Sequence, residues 1–334
     1  MTQNPETRKN SETKTGLQTM LLNFLKSDKL GLLAALILII IVFQVLTGGK
    51  YLSQANIINI LIAMAVVGLV TIGESFLLIT GKVDLSPGSV AAFSGVLAAI
   101  LLNQGLSMYL VIPIVMMIGM AIGAFNALLV NKLKLEAFIA TLATMSVFRG
   151  MAYIICGGKA VFLTDKSFLK FGAGRLAGIP IPVIFFALIF GYFMLVLSRT
   201  RFGRNVYMIG GNPVAARLTG INSQKMLTKL FMMTSALAAL GGCIMSARMS
   251  SGQPMSSEGL EFDAVTAAVL GGVAMSGGRG SLGGALIGLF ILQGFNNGLM
   301  MQNVPSFWQT VSRGLLLIAA LSFDFVRNSR AKLK

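Results

Sequence analysis

Long apolar runs, broken by short polar or charged stretches, organise the chain. A helix that crosses a hydrocarbon core needs about 20 mostly apolar residues. Ten stretches qualify by pattern: Leu30–Leu46, Ile57–Ile79, Ser86–Asn103, Tyr109–Val130, Ala137–Cys156, Ile179–Leu197, Leu230–Ala247, Phe262–Ser276, Gly283–Met300 and Trp308–Phe325. The third and eighth are short and rich in Gly, Ser and Ala. The pattern predicts an all-α, polytopic membrane protein with about ten transmembrane helices. Residues 1–29 read as a polar cytoplasmic tail, 30–327 as the membrane domain and 328–334 as a second cytoplasmic tail. No small-residue cleavage site follows the first apolar run, so it reads as a span and not as a removable signal.

Composition agrees with this reading. Hydrophobic residues make up 55% of the 334 and charged residues only 11%, against roughly 25% charged in soluble domains. Lys and Arg number 27, Asp and Glu 11, and His is absent, for a net charge of +16. So basic a chain suggests nucleic acid first, but the placement of the charges favours membrane orientation. With both termini cytoplasmic, nineteen basic residues fall inside, including Lys82, Lys132, Lys134, Arg279, Arg327, Arg330, Lys332 and Lys334. Six fall outside: Lys50, Lys159, Lys166, Lys170, Arg175 and Arg248. That is the positive-inside bias, and it leaves no need for a nucleic-acid partner.

Two connections are long. Residues 198–229 carry Arg199, Arg201, Arg204, Arg217, Lys225 and Lys229 around a Gly210-Gly211-Asn212-Pro213 break. Asn212 suits a helix N-cap, Pro213 the first helical position and Gly220 the exit. The spacing predicts a short helix over 214–219 on the cytoplasmic face, in a loop long enough to dock a partner. The external loop 157–178 suits either a cap or partner surface, or an amphipathic connector. Gly119/Gly123 and Gly284/Gly288 are spaced for close helix packing in lipid. Cys156 and Cys243 read as buried thiols.

Ionisable residues inside spans are functional candidates by default. Glu74 is the acidic group set well inside a run, about five residues from its cytoplasmic end, so the simple expectation is that its carboxylate reaches the interface. A proton or sodium site would need partners such as a second carboxylate or His, and the sequence offers few. Arg149 and Arg313 lie toward the external side, where each could snorkel or face a water-filled vestibule. Catalytic patterns fail. The chain has no phosphate-binding loop of the G-x-x-x-x-G-K-[ST] type. Gly278-Arg279-Gly280-Ser281-Leu282-Gly283 matches G-x-G-x-x-G but follows an apolar helix and not a strand. Without His, a Ser-His-Asp triad and the common zinc patterns are excluded.

Four motifs in order carry a family resemblance. They are Gly81-Lys82-Val83-Asp84-Leu85-Ser86-Pro87-Gly88-Ser89; Thr141-Leu142-Ala143-Thr144-Met145 with Phe148-Arg149-Gly150; Phe202 through Ile221; and Asp263-Ala264-Val265 with Ala268 through Gly272 and Gly277 through Ser281. Over nearly all of 30–327 the chain resembles permease subunits of the ribose/arabinose/galactose class of bacterial ATP-binding-cassette importers. The first motif is similar to the family's G-G-I-D-L-S-V-G-S, with Lys82 and Pro87 as departures. Ser246–Glu258 and Gly158–Val161 look most like the L-arabinose branch.

The resemblance implies a multi-pass bacterial inner-membrane permease domain that binds no cofactor itself. ATP and Mg would sit on a separate ATPase subunit, a periplasmic sugar-binding protein would deliver substrate, and two copies of this chain would pair within the lipid. It assigns 198–229 as the coupling loop, with Arg204, Asn205, Gly210, Gly211, Asn212, Ala215, Ala216, Arg217 and Gly220 as the ATPase contact. Val214 stands where many relatives of the wider class have Glu. By family pattern Arg149 is structural or path-lining. Asn126, Thr141, Thr144, Asn296 and Asn297 are polar groups within spans. They suit a sugar path or, equally simply, helix-to-helix hydrogen bonds. The same role for ribose, galactose or xylose, an ion-coupled sugar transporter using Glu74, and a membrane-embedded enzyme are the alternatives.

Overall fold

A computed structural model describes the backbone of residues 28–332 and the side chains of 31–325 apart from 323. The expected tail 1–29 lies outside the described residues except at the start of the first helix, and the side chains of Arg327, Arg330, Lys332 and Lys334 lie outside them too. The chain is almost wholly helical. In order it forms α1 (Asp28–Leu46), α2 (Gln54–Ile79), α3 (Pro87–Asn103), α4 (Met108–Asn131) and α5 (Ala137–Cys156). Then come β1 (Val161–Phe162), α6 (Lys166–Ala173), β2 (Arg175–Leu176), β3 (Ile179–Pro180), α7 (Ile181–Arg199), α8 (Arg201–Gly211) and α9 (Pro213–Leu218). The last elements are α10 (Ser223–Met249), β4 (Ser251–Gly252), α11 (Leu260–Leu270), α12 (Leu282–Met301) and α13 (Ser306–Lys332).

Among the described residues, six helices are long and apolar enough to cross a membrane: α2, α4, α5, α7, α10 and α12. Gly31–Leu46 and Pro87–Asn103 are shorter apolar helices. The expected span 262–276 is corrected: its helix ends at Leu270 after 11 residues. At 1.5 Å per residue it rises about 16 Å, half of a 30 Å core. The chain turns at Gly271 and Gly272, where Gly272 has φ +86°.

The core lies around α2 and α10, which are the most enclosed of the long helices. Both expected glycine pairs act in packing. A side chain at Gly123 would run into the Phe231 carbonyl, and one at Gly119 would reach the Ser235 carbonyl, so α4 lies directly on the α10 backbone. Gly284 and Gly288 likewise press against the carbonyls of Gly271, just past the end of α11, and of Ala267 within it. Lipid supplies no hydrophobic drive between helices, so this close contact is what holds them.

Both ends of α2 are fastened. At its start Tyr51 donates to the Gly294 carbonyl at 2.9 Å, and the Asn56 amide donates to Asn297 Oδ1 at 2.8 Å. At its end the Ile79 carbonyl accepts from Gly278 N–H at 2.8 Å. Tyr51→Phe keeps the ring contact with Phe43 but removes the buried bond. A loss of about 1 kcal/mol is expected, read as a lower thermal midpoint in detergent, and an unchanged midpoint would count against the bond.

The loop 157–178 is an ordered amphipathic connector. β1 pairs with β4, and β2 pairs with β3 across a two-residue turn. α6 buries Phe168, Phe171 and Gly172, and a Cβ on Gly172 would strike Ala247 of α10.

Candidate functional site

Two short helices begin inside the protein and not at its surface. After α2 the chain turns at Gly81 (φ +75°) and runs without helix to Ser86. Asp84, Leu85 and Ser86 are buried there. α11 is preceded by a second non-helical stretch, 250–259, in which Ser251, Gly252 and Pro254 are buried while Met255 and Glu258 are exposed. In a membrane protein such backbone is tolerated only where protein or a water-lined cavity encloses it. The two helix starts meet: a Cβ on Gly88 would overlap the Glu261 carboxylate and come within 2.6 Å of the Ser257 carbonyl. Gly88 is therefore what lets α3 and α11 approach.

Carboxylates gather at this junction. Glu74 Oε2 accepts from Asp84 N–H at 3.4 Å. Asp84 Oδ1 accepts from Ser86 N–H at 2.8 Å and from the Ser86 hydroxyl at 2.6 Å, and Ser86 Oγ accepts from the Asn126 amide at 2.9 Å. Glu261 and Asp263 stand in the first turn of α11, where the helix dipole favours negative charge by about 0.3–1 kcal/mol each. Glu74 is thus fully enclosed and has close acidic neighbours. The expectations that its carboxylate reaches the interface and that the sequence supplies few partners are both corrected.

Beside the junction a cleft of about 830 Å³ opens between α5, α11 and α13. Ser146 and Arg149 line it from α5, Glu261, Asp263 and Thr266 from α11, and Thr310 and Arg313 from α13. Arg149 Nη1 donates to the Pro254 and Ser256 carbonyls at 2.7 and 2.8 Å. Arg313 pairs with Asp263 at 3.6 Å. Both arginines thus line the cleft, and Arg149 also holds the non-helical stretch.

The five polar candidates within spans lie elsewhere. Thr141 Oγ1 accepts from Leu85 N–H and donates to the Ala137 carbonyl, and Thr144 donates to the Thr141 carbonyl. Asn126 joins α4 to Ser86, and Asn297 joins α12 to Asn56. Asn296 Oδ1 is buried without a hydrogen-bond donor. None of the five lines the cleft. Sequence reasoning quoted Asp84 and Asp263 within the family motifs without giving them a role, and it did not single out Glu261. The Asp84-x-Ser86-Pro87 pattern of a helix start was a usable signal, as was the acidic pair at the head of the eighth run.

The loop 198–229 folds into two helices. α9 spans 213–218, one residue before the expected 214–219, and Asn212 Oδ1 accepts from Val214 and Ala215 N–H at 3.1 and 3.0 Å. Gly220 takes φ +82° at the exit. Unexpected is α8, an amphipathic helix that buries Gly203, Val206 and Ile209. It rests on the turns that end α2 and join α11 to α12. A Cβ on Gly210 would overlap the Ile79 carbonyl and come within 2.6 Å of Gly278 N. Tyr207 donates to the Gly280 carbonyl at 2.7 Å, and burial pushes its phenol above the ordinary value. The G-x-G-x-x-G match is this α11–α12 turn and has no strand before it. Of the expected contact residues, Arg204, Gly211, Asn212, Ala215, Arg217 and Gly220 are exposed, Asn205 and Gly210 are half-buried and Ala216 is buried. Val214 and Leu218 are 70% and 84% exposed, and a groove of about 730 Å³ is lined by Val214, Arg217 and Gly220.

Residues 56–321 match the family described as branched-chain amino acid transport system / permease component. The ribose import permease protein of Bacillus subtilis is 39% identical over 299 residues, 89% of this chain and 92% of that protein. The L-arabinose transport system permease protein of Escherichia coli is 38% identical over 275 residues, 82% and 84% of the two chains. The L-arabinose permease of Azospirillum brasilense is 35% identical over 290 residues, 86% of each. No solved structure matches. With enclosed half-helices, six apolar helices of spanning length and relatives matched over most of their length, the chain belongs to this family of multi-pass bacterial inner-membrane permease components, together with the ribose and L-arabinose permeases.

Proposed function

We propose that this chain is the membrane subunit of an ATP-driven pentose importer. The single observation that carries the coupling half of this reading is α9. It is a capped helix in a basic loop, with two large apolar side chains in the open. Exposed apolar groups rimmed by polar ones mark a docking surface. The chain has no nucleotide loop of its own, so energy comes from an ATPase bound there. α8 passes the motion on to α2 and to the α11–α12 turn through Gly210 and Tyr207. Ten passes with both termini cytoplasmic, pairing of two copies and delivery by a periplasmic sugar-binding protein complete the assembly. The short α11 and its non-helical lead-in together make one of the passes. Resemblance in 246–258 and 158–161 favours L-arabinose, and the ribose permeases among the relatives keep ribose beside it. The binding protein makes the first selection of substrate.

An ion-coupled transporter would need Glu74 open to water. Glu74 is wholly enclosed and lines none of the three described cavities. The test is Leu218→Asp, which places a charge on the most exposed apolar side chain of α9. The ATPase is expected to be lost on co-purification, with ATP-driven uptake down at least tenfold while the permease stays folded. Retained ATPase and unchanged uptake would overturn the docking reading. Sugar uptake driven by an ion gradient without any ATPase subunit would overturn the importer reading.

A further inference from the structure

The cleft between α5, α11 and α13 is costly to build. It brings Arg149, Glu261, Asp263 and Arg313 together among apolar helices, where ionisable groups persist only when paired or functional. The pairing here is incomplete. Asp263 and Arg313 meet at 3.6 Å with side chains 14% and 34% exposed, so each keeps hydrogen-bonding capacity turned to open space. Arg149 spends one nitrogen on two carbonyls, and a guanidinium has five N–H donors. Glu261 Oε2 is buried with no hydrogen-bond partner. Thr266 and Thr310 add hydroxyls to the wall, while Phe262 and Leu317 add apolar surface. The volume, about 830 Å³, falls within the 300–1,000 Å³ usual for small-molecule sites.

We propose that this cleft holds the monosaccharide in transit, with Asp263 accepting from sugar hydroxyls and Arg313 donating to them, so that the pair discriminates among hydroxyl configurations. This rests on the importer reading above. A neutral polyol suits the chemistry. A carboxylate accepts from two neighbouring hydroxyls, a guanidinium donates two parallel bonds, and Phe262 can lie against the C–H face of the ring. The charges of Asp263 and Arg313 offset each other, and a loose ion pair can open to admit hydroxyls without leaving a bare charge. Arg149 is a positioning residue, because it fixes the stretch that leads into α11.

The test is uptake of ribose and of L-arabinose by proteoliposomes holding the whole complex, with ATP hydrolysis measured in parallel. Asp263→Asn is expected to raise KM for uptake at least fivefold and to change the ribose/arabinose ratio at least threefold. Hydrolysis stimulated by the loaded binding protein should stay within twofold. The exchange Asp263→Arg with Arg313→Asp restores an ion pair. It is expected to restore folded yield without restoring the wild-type sugar ratio. If the exchange recovers both KM and ratio, the pair is a clasp between α11 and α13 and the proposal is overturned. Asp263→Asn with unchanged KM and ratio overturns it as well, while leaving the importer reading intact. Wild-type complex that takes up no monosaccharide overturns both.

Discussion

Gly210→Ala is expected to cut ATP-driven uptake at least tenfold, whereas Gly211→Ala leaves it unchanged. The two glycines are adjacent and differ only in what a methyl group would meet. At Gly210 it overlaps the Ile79 carbonyl and crowds Gly278 N, and at Gly211 nothing lies within 4 Å. The Gly278–Ile79 hydrogen bond sits directly beneath. Wedging α8 away costs that bond, about 1 kcal/mol, plus overpacking of about 1–3 kcal/mol. It also separates the proposed docking helix from α2, so hydrolysis is expected to persist without uptake. Equal effects at the two positions would show that the close stacking of α8 does not matter.

Arg149→Ala is expected to lower stability by about 2–6 kcal/mol, because two carbonyls lose their donor and each unsatisfied group costs about 1–3 kcal/mol. Those carbonyls, of Pro254 and Ser256, lie in the stretch without helix that delivers α11 to Gly88. Losing them should loosen the junction as well as the fold. Thermal unfolding in detergent reads the first effect, and protease sensitivity between 250 and 259 reads the second. Arg149→Lys keeps the charge but loses the fork that bridges two acceptors, so partial recovery is expected. A wild-type midpoint for Arg149→Ala would mean that the segment is held by its own turns.

Much of the scaffold was legible because membrane helices announce themselves locally. Each of the ten apolar runs contains or overlaps a helix, and the Asn212 cap and Gly220 exit depend only on neighbouring residues. The Gly119/Gly123 and Gly284/Gly288 spacings showed close packing but not which helix each would meet. α11 ended early because Gly271 and Gly272 stop it, and hydropathy alone does not register a turn among apolar residues. α8 was hidden for a different reason. Its buried face is Gly203, Val206 and Ile209, too few apolar groups to stand out in a basic loop. The cleft was least legible. Arg149, Asp263 and Arg313 are far apart along the chain, and only the folded arrangement of α5, α11 and α13 makes them neighbours. The span asparagines and threonines were visible as polar groups. Their partners are mostly backbone carbonyls one turn back, or side chains on another helix, and spacing does not reveal the latter.

The fastenings of α2 have a mechanical consequence. Tyr51 and Asn56 pin its start to α12, and Ile79 pins its end to the turn that leads into α12. A rod pinned at both ends to one neighbour is a truss member: it can neither pivot on that neighbour nor slide past it. A displacement applied at Gly210 is therefore expected to move α2 and α12 together, over the roughly 39 Å of the 26-residue helix at 1.5 Å per residue.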